Sequence, residues 1–220
     1  MGTPSFAVPI LKALHKKKYL ISATYTQPPQ KSQRGQRYNK SPIHVISEEL
    51  NIECRTPRIL KGNNEEFNFF KKLDVDLVIV VAYGQIIPND FLDLSKKGFI
   101  NIHASLLPKW RGAAPIQRSI INLEKETGIS IMKIGEKLDT GPVCNSYKID
   151  IKENDNAETI STKLSILASE KISENIDGIL DDTVRFKEQD HNNATYASKI
   201  KKSEGEIKWS DNAENIIGKI

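Results

Sequence analysis

Two cysteines in 220 residues, Cys54 and Cys144, are too few for a disulfide framework, and neither stands in a CxxC or Cys/His spacing. The chain reads as one for a reducing compartment, with both thiols expected in the core, because a free cysteine behaves as a small hydrophobe. Long apolar runs are lacking as well: the longest covers residues 77–83, far short of the roughly 20 residues a membrane helix needs, so no membrane partner is expected. No charged segment followed by an apolar one makes a signal peptide, so the cytoplasm is the expected location and the sequon at Asn193 is read as chance. The start of the chain has Phe6 where a myristoylation signal needs Ser or Thr. Charge of one sign is missing too. The 32 basic and 28 acidic residues leave a net +4, too balanced to coat nucleic acid without a local patch. Absence of GxGxxG, GxxxxGK[ST], HExxH and GxSxG removes the signatures of nucleotide cradling, zinc proteolysis and serine hydrolysis. The four histidines, His15, His44, His103 and His191, share no metal spacing, so no metal is expected, and His15 and His191 are read as solvated surface groups.

What is present is an alternation of short apolar runs with helix-period segments, the pattern of an α/β fold with a doubly wound, mostly parallel sheet. Phe6, Ala7, Ile10, Leu11 and Leu14 predict a helix that Thr3 caps and Pro4 begins. Strands are expected at residues 20–26, 53–56, 77–83, 98–103, 129–134 and 143–151, and helices at 42–50, 64–73, 113–123 and 157–180. The run at 77–83 is β-branched and apolar throughout, which marks a central strand covered on both faces. Residues 27–44 are too polar for core. Beyond residue 181 the periodicity fades, residues 201–206 read as a linker, and 209–220 as a short amphipathic piece with little to pack on.

Three groups of residues can carry chemistry. Asn101 and His103 stand two apart at the end of a predicted strand, so they project to the same side, at the strand end where doubly wound folds put ligands. An imidazole moves protons near neutral pH, and an amide N–H can donate to a developing oxyanion. Asp139, in the Gly/Pro loop Leu138-Asp139-Thr140-Gly141-Pro142, is either a turn former or a carboxylate that orients the His103 ring. Lys31, Arg34, Arg37 and Lys40, interleaved with Gly35 and Tyr38, make either a solvated loop or an arm that contacts phosphates, with Tyr38 available for stacking.

The stretches that join these groups resemble those of the methionyl-tRNA formyltransferase family. They include Thr26-Gln27-Pro28, Val80-Val81-Ala82-Tyr83-Gly84-Gln85, the long run from Asn101-Ile102-His103 through Ser105-Leu106-Leu107-Pro108 and Trp110-Arg111-Gly112-Ala113-Ala114-Pro115, Leu138-Asp139-Thr140-Gly141, and Thr195-Tyr196-Ala197. The Ser-Leu-Leu-Pro segment is similar to that of all folate-dependent formyltransferases, and its extension through Trp110 to Pro115 narrows the match to the tRNA enzymes. The resemblance implies a Rossmann-like formyltransferase fold and transfer of formyl from 10-formyltetrahydrofolate to the α-amine of methionyl initiator tRNA. It maps Asn101, His103 and Asp139 onto the catalytic trio, Ser105, Leu106, Leu107 and Pro108 with Tyr83 and Gly84 onto the folate site, and Arg34 onto the key tRNA-contacting position, with Lys31 and Arg37 beside it. It further implies a catalytic domain at residues 1–190 that lacks its first, central strand, a linker with the start of a C-terminal domain at 191–220, and a monomer. By the same comparison, the chain without that strand is expected to be unstable or weakly active. An amino-sugar or glycinamide-ribonucleotide formyltransferase, a folate hydrolase and a non-catalytic RNA-binding fragment remain as alternatives. The first would not need the basic stretch and the last would not need the trio.

Overall fold

The computed structural model of the chain describes residues 1–32 and 37–219 and, at residues 31, 32 and 37, the backbone alone. It divides into two units, the first made of residues 1–102 and 168–184, the second of residues 103–167 and 185–220.

In the first unit a 3-10 turn, Ser5–Ala7, leads into α1 (Val8–Lys16), which buries Ile10, Leu11 and Leu14 at helical spacing. Thr3 does not cap it. Its hydroxyl donates to the Tyr83 carbonyl at 2.8 Å and accepts from the Gln27 N–H at 3.2 Å, so it ties two loops together instead. Strand β1 covers only Thr24–Tyr25, because the residues before it gain no burial from a sheet, Leu20 being 92% exposed. The polar stretch that follows is not structureless: β2 (Gln30–Ser32) and β3 (Arg37–Asn39) pair antiparallel, Gln30 opposite Asn39. Helix α2 (Pro42–Glu49) is capped by Ser41, whose hydroxyl accepts from the His44 N–H. Strand β4 (Cys54–Arg55) precedes α3 (Asn64–Lys72), which Asn63 caps by accepting from the Glu66 N–H. Then come β5 (Val78–Val80), the short α4 (Asn89–Leu92) and β6 (Phe99–His103), whose last residue opens the second unit.

Two strand pairs of this unit run parallel, β1 with β4 and β5 with β6. Met1 and Gly2 lie between β1 and β5: the Gly2 N–H donates to the Tyr25 carbonyl at 2.8 Å, and the Met1 carbonyl accepts from the Val81 N–H at 2.9 Å. Only glycine fits there, since a Cβ on Gly2 would stand 2.9 Å from the Ala7 Cβ and 3.0 Å from the Val81 carbonyl oxygen. Beneath the sheet, Phe70 packs against the rings of Tyr25, Phe91 and Phe99 at 5.6–5.9 Å between centroids. The buried Glu66 carboxylate accepts from Arg55 Nη2 at 2.5 Å and from the Tyr25 hydroxyl at 3.2 Å, so the charge enters the core already paired. Burial first, and that carboxylate second, push the Tyr25 hydroxyl far above its ordinary range.

The second unit holds β7 (Arg111–Gly112), α5 (Pro115–Ile121), β8 (Glu126–Lys133) and β9 (Val143–Asp150). Helix α6 (Ala157–Leu180) spans the expected residues and is divided between the units at Ala168; β10 (Tyr196–Ala197) and α7 (Ala213–Ile217) follow. Strands β8 and β9 are antiparallel, and β8 starts earlier than its apolar pattern because Glu126 and Thr127 still pair with Asp150 and Ile149. Helix α5 starts late, since the N–H groups of Ala113 and Ala114 both donate to the Ala197 carbonyl. The segment after residue 181 does not fade into a tail. Lys187 bridges to Val143, Gln189 is buried, and β10 pairs parallel with β7. Nor is 201–206 a bare linker: the Lys202–Gly205 turn presents Glu204 to the fork of Arg118, at 2.6 and 3.2 Å. Arg118 holds the Glu204 carboxyl down at about 2, so this clasp exists at every pH above the ordinary carboxylate range and is lost only as pH falls through about 2. With α helices beside mostly parallel strand pairs, the fold is the α/β, Rossmann-like one expected. Among the described residues no helix is long and apolar enough to cross a membrane.

Both cysteines are only half-buried, against the expectation of core thiols. Cys144 lies on β9, a strand with no fully buried residue.

Phe70→Ala is expected to lower unfolding free energy by roughly 3–5 kcal/mol, since it empties the centre of the ring cluster. Denaturant titration checks this, and a loss under ~1 kcal/mol would show that the cluster does not hold the unit. Burial raises the Cys144 thiol to about 11; alkylation by iodoacetamide at pH 8 should therefore run on the order of a hundredfold slower in the native chain than in urea, read by mass spectrometry.

Candidate active site

Strand β6 ends at His103, and the chain turns through residues 104–110 before it enters β7. The His103 ring is 6% exposed. Its Nε2 lies 2.8 Å from the Trp110 carbonyl oxygen. A carbonyl can only accept, so Nε2 carries the hydrogen and donates. Nδ1 then faces the carboxylate of Asp139, 3.7 Å from Oδ2. That distance is too long for a hydrogen bond and short enough for an ion pair once Nδ1 is protonated. The geometry leaves Nδ1 as the atom at which the ring can take up or release a proton.

The turn that fixes the Trp110 carbonyl is held along its length. Ser105 is buried and its hydroxyl donates to the Lys109 carbonyl at 2.6 Å. Ser130, on β8, donates to the Ser105 carbonyl at 2.8 Å and accepts from the Leu107 N–H at 3.0 Å, so one hydroxyl staples both ends of the Ser105 to Leu107 backbone. The Leu107-Pro108 peptide is cis. The Trp110 N–H donates to the Thr195 hydroxyl at 2.9 Å. Leu106 and Pro108 line a cleft of about 340 Å³ together with Lys109, Trp110 and Thr127.

Asp139 sits in the left-handed region, φ 49°, which an aspartate tolerates better than most residues. Its Oδ2 accepts from the Gly112 N–H at 2.8 Å. Gly112 is the residue that permits this: its φ is 116°, and a Cβ would stand 2.8 Å from the Ala197 carbonyl oxygen, so β7 and β10 could not approach with any other side chain there.

The structure thus brings His103, Asp139 and residues 105–108 together in the second unit. Asn101 is half-buried on β6, two residues ahead of His103. Tyr83 and Gly84 belong to the first unit. The Tyr83 hydroxyl is buried without a hydrogen-bond partner among the described residues, and burial pushes it above its ordinary range. The Tyr83 carbonyl accepts from Thr3, and Gly84 has φ 83°. The backbones of Lys31 and Arg37 lie on β2 and β3, and Arg34 lies outside the described residues. His191, read as a solvated group, is exposed but accepts from Arg111 Nη2 at 2.9 Å. Sequence reasoning missed Ser130 and Gln189, single polar residues in segments that carry no motif. Among the described residues no three His, Cys, Asp or Glu side chains converge as a metal ion would need.

Three comparisons bear on this site. The sequence profile of the family described as "Formyl transferase" matches residues 1–176. A methionyl-tRNA formyltransferase of Pelagibacter ubique is 75% identical over all 220 residues, which cover 71% of that relative. That of Brucella ovis is 41% identical over 221 aligned residues, with 72% of it covered. Among solved structures, a sugar 3N-formyl transferase with dTDP and 5-N-formyl-THF aligns over all of this chain and 76% of its own, with TM-score 0.76 at 21% identity. The phosphoribosylglycinamide formyltransferase of Anaplasma phagocytophilum aligns over 84% of this chain and 85% of its own, with TM-score 0.67 at 20% identity. At such identities the two structures speak for the fold alone. Profile and relatives together place the chain in the formyl transferase family, within its methionyl-tRNA branch.

Proposed function

We propose that Asn101, His103 and Asp139 carry the reaction of this branch, in which the enzyme transfers formyl from 10-formyltetrahydrofolate to the α-amine of methionyl initiator tRNA for the start of translation. The observation that carries the assignment is the His103 ring, fixed through Nε2 on the Trp110 carbonyl and turned so that Nδ1 faces Asp139 at 3.7 Å.

The neutral amine attacks the formyl carbon, a C–N bond forms, and the carbonyl electron pair moves onto oxygen. The Asn101 amide donates to that oxyanion. Neutral His103 takes the proton of the attacking nitrogen at Nδ1, and the imidazolium so formed, held by Asp139, gives it to N10 of the folate as the C–N10 bond breaks. Formylmethionyl-tRNA and tetrahydrofolate leave, and no covalent enzyme intermediate forms.

Residues 105–108 hold the folate in this reading, with Tyr83 and Gly84 at its pterin. The rigid, doubly stapled backbone at 105–107 supports that role, because a fixed loop can hold a heterocycle against Leu106 and Pro108, which line the cleft, without reorganising. Lys31, Arg34 and Arg37 meet the acceptor end of the tRNA in this reading, as a local patch on a chain of low net charge must. Residues 1–190 make up the catalytic domain and 191–220 a linker, which returns to it through the pairing of β10 with β7 and of Glu204 with Arg118. The enzyme acts as a monomer in the cytoplasm.

His103→Ala should cut transfer of labelled formyl to methionyl initiator tRNA by at least about a hundredfold without loss of fold, and Asp139→Asn by a comparable factor. Full transfer by either variant would remove the trio. Arg34→Ala should raise KM for tRNA, leave KM for folate unchanged and reduce the salt slope of tRNA binding by about one; an unchanged slope would return the basic stretch to its reading as a solvated segment.

A further inference from the structure

Arg111 is the most deeply buried cation of the second unit, 2% exposed, and the partners of its guanidinium are an amide and an imidazole. Nε and Nη2 donate to Gln189 Oε1 at 3.1 and 2.7 Å, and Nη2 also donates to His191 Nδ1 at 2.9 Å. This settles which way the Gln189 amide points: its oxygen takes the guanidinium, so its nitrogen faces the other way. There Nε2 donates to two backbone carbonyls, that of Asp139 at 2.9 Å and that of Gly141 at 2.7 Å. Both amide hydrogens are used, and the cation on the oxygen side polarises them into stronger donors.

The two carbonyls belong to the loop that carries Asp139. That residue has φ 49°, and its carboxylate is held from the opposite side by the Gly112 N–H. Gly112 is the neighbour of Arg111 on β7, so the two residues grip the same loop, one through the carboxylate and one through the backbone. Gln189 stands outside the residues 1–176 that the family profile matches.

We infer that Gln189, oriented by the buried Arg111, is a positioning residue for formyl transfer: it fixes the backbone of Asp139 and thereby the approach of the carboxylate to His103 Nδ1. The inference rests on the reading of His103 and Asp139 as the reacting pair. A glutamine is required and a glutamate will not serve. A carboxylate in its place would accept from Arg111 equally well but has no hydrogen for the Asp139 and Gly141 carbonyls, and would repel them.

That asymmetry separates positioning from folding. Gln189→Glu, made in the whole chain, should still unfold cooperatively, at a lower thermal midpoint, while kcat for formyl transfer falls about tenfold to a hundredfold, with KM for folate and for tRNA within about threefold of the parent. In an Asp139→Asn background the same substitution should change kcat by less than about twofold, because its effect passes through that carboxylate. Parental kcat in folded Gln189→Glu overturns the inference, as does an undiminished loss in the Asp139→Asn background. Should Gln189→Glu not fold, Gln189→Asn, which draws the donor back from the carbonyls, carries the same expectation. Failure of both to fold also overturns the inference, since the network would then serve the fold and not the carboxylate. Asp139→Asn with parental turnover would instead remove the reacting pair itself, and the two failures are told apart by that single control.

Discussion

The hydrogen bond from His103 Nε2 to the Trp110 carbonyl decides which face of the imidazole is open to chemistry. Without it either nitrogen could hold the hydrogen and the ring could turn; with it, Nδ1 is committed to the carboxylate side. Most of the second unit follows from keeping that carbonyl still. The Ser130 hydroxyl staples the backbone upstream of it, the Thr195 hydroxyl takes the Trp110 N–H itself, and β7 runs on into a pairing with β10 that allows no side chain at Gly112. The same Gly112 N–H aims the Asp139 carboxylate. Histidine and aspartate thus take their positions from one short piece of backbone, residues 105–112, and an error in that piece would displace both together.

The two units solve burial differently. The first follows the ordinary rules for an α/β layer, with parallel strands, an aromatic cluster, and the one buried carboxylate of Glu66 entering with its arginine. The second, beside an apolar core of Ile129, Ile131, Ile160 and Leu164, buries a guanidinium against an amide and an imidazole. Polar interiors of this kind give up little conformational freedom, because each group has a particular partner to lose. They suit a site whose geometry matters more than its stability.

Elements that rest on apolar period were legible in the sequence. Helix α6 spans the expected residues 157–180, strand β6 begins one residue inside its expectation, and α2 and α3 are close to theirs. What could not be read were features made by distant backbone. Thr3 looks like a cap, yet two loops compete for its hydroxyl. Residues 187–197 look like a polar tail because their contributions are hydrogen bonds, which leave no periodicity. In the candidate site, Asn101, His103 and Asp139 could be singled out as candidates by residue type and by family likeness. Their supports, Ser130 and Gln189, could not, since a lone serine or glutamine has many uses and only its partners show which one applies.

The pairing of β7 with β10 has a bearing on the order in which the molecule is made. A ribosome releases the chain from its amino end, so Asn101, His103 and Asp139 emerge well before Gln189, Thr195 and Ala197. In that interval the Trp110 and Ala113 N–H groups, which later meet Thr195 and Ala197, have only water to bond. A nascent chain that already contains His103 and Asp139 therefore lacks the backbone frame that aims them. The site closes late in synthesis, when a strand of two residues arrives to complete it.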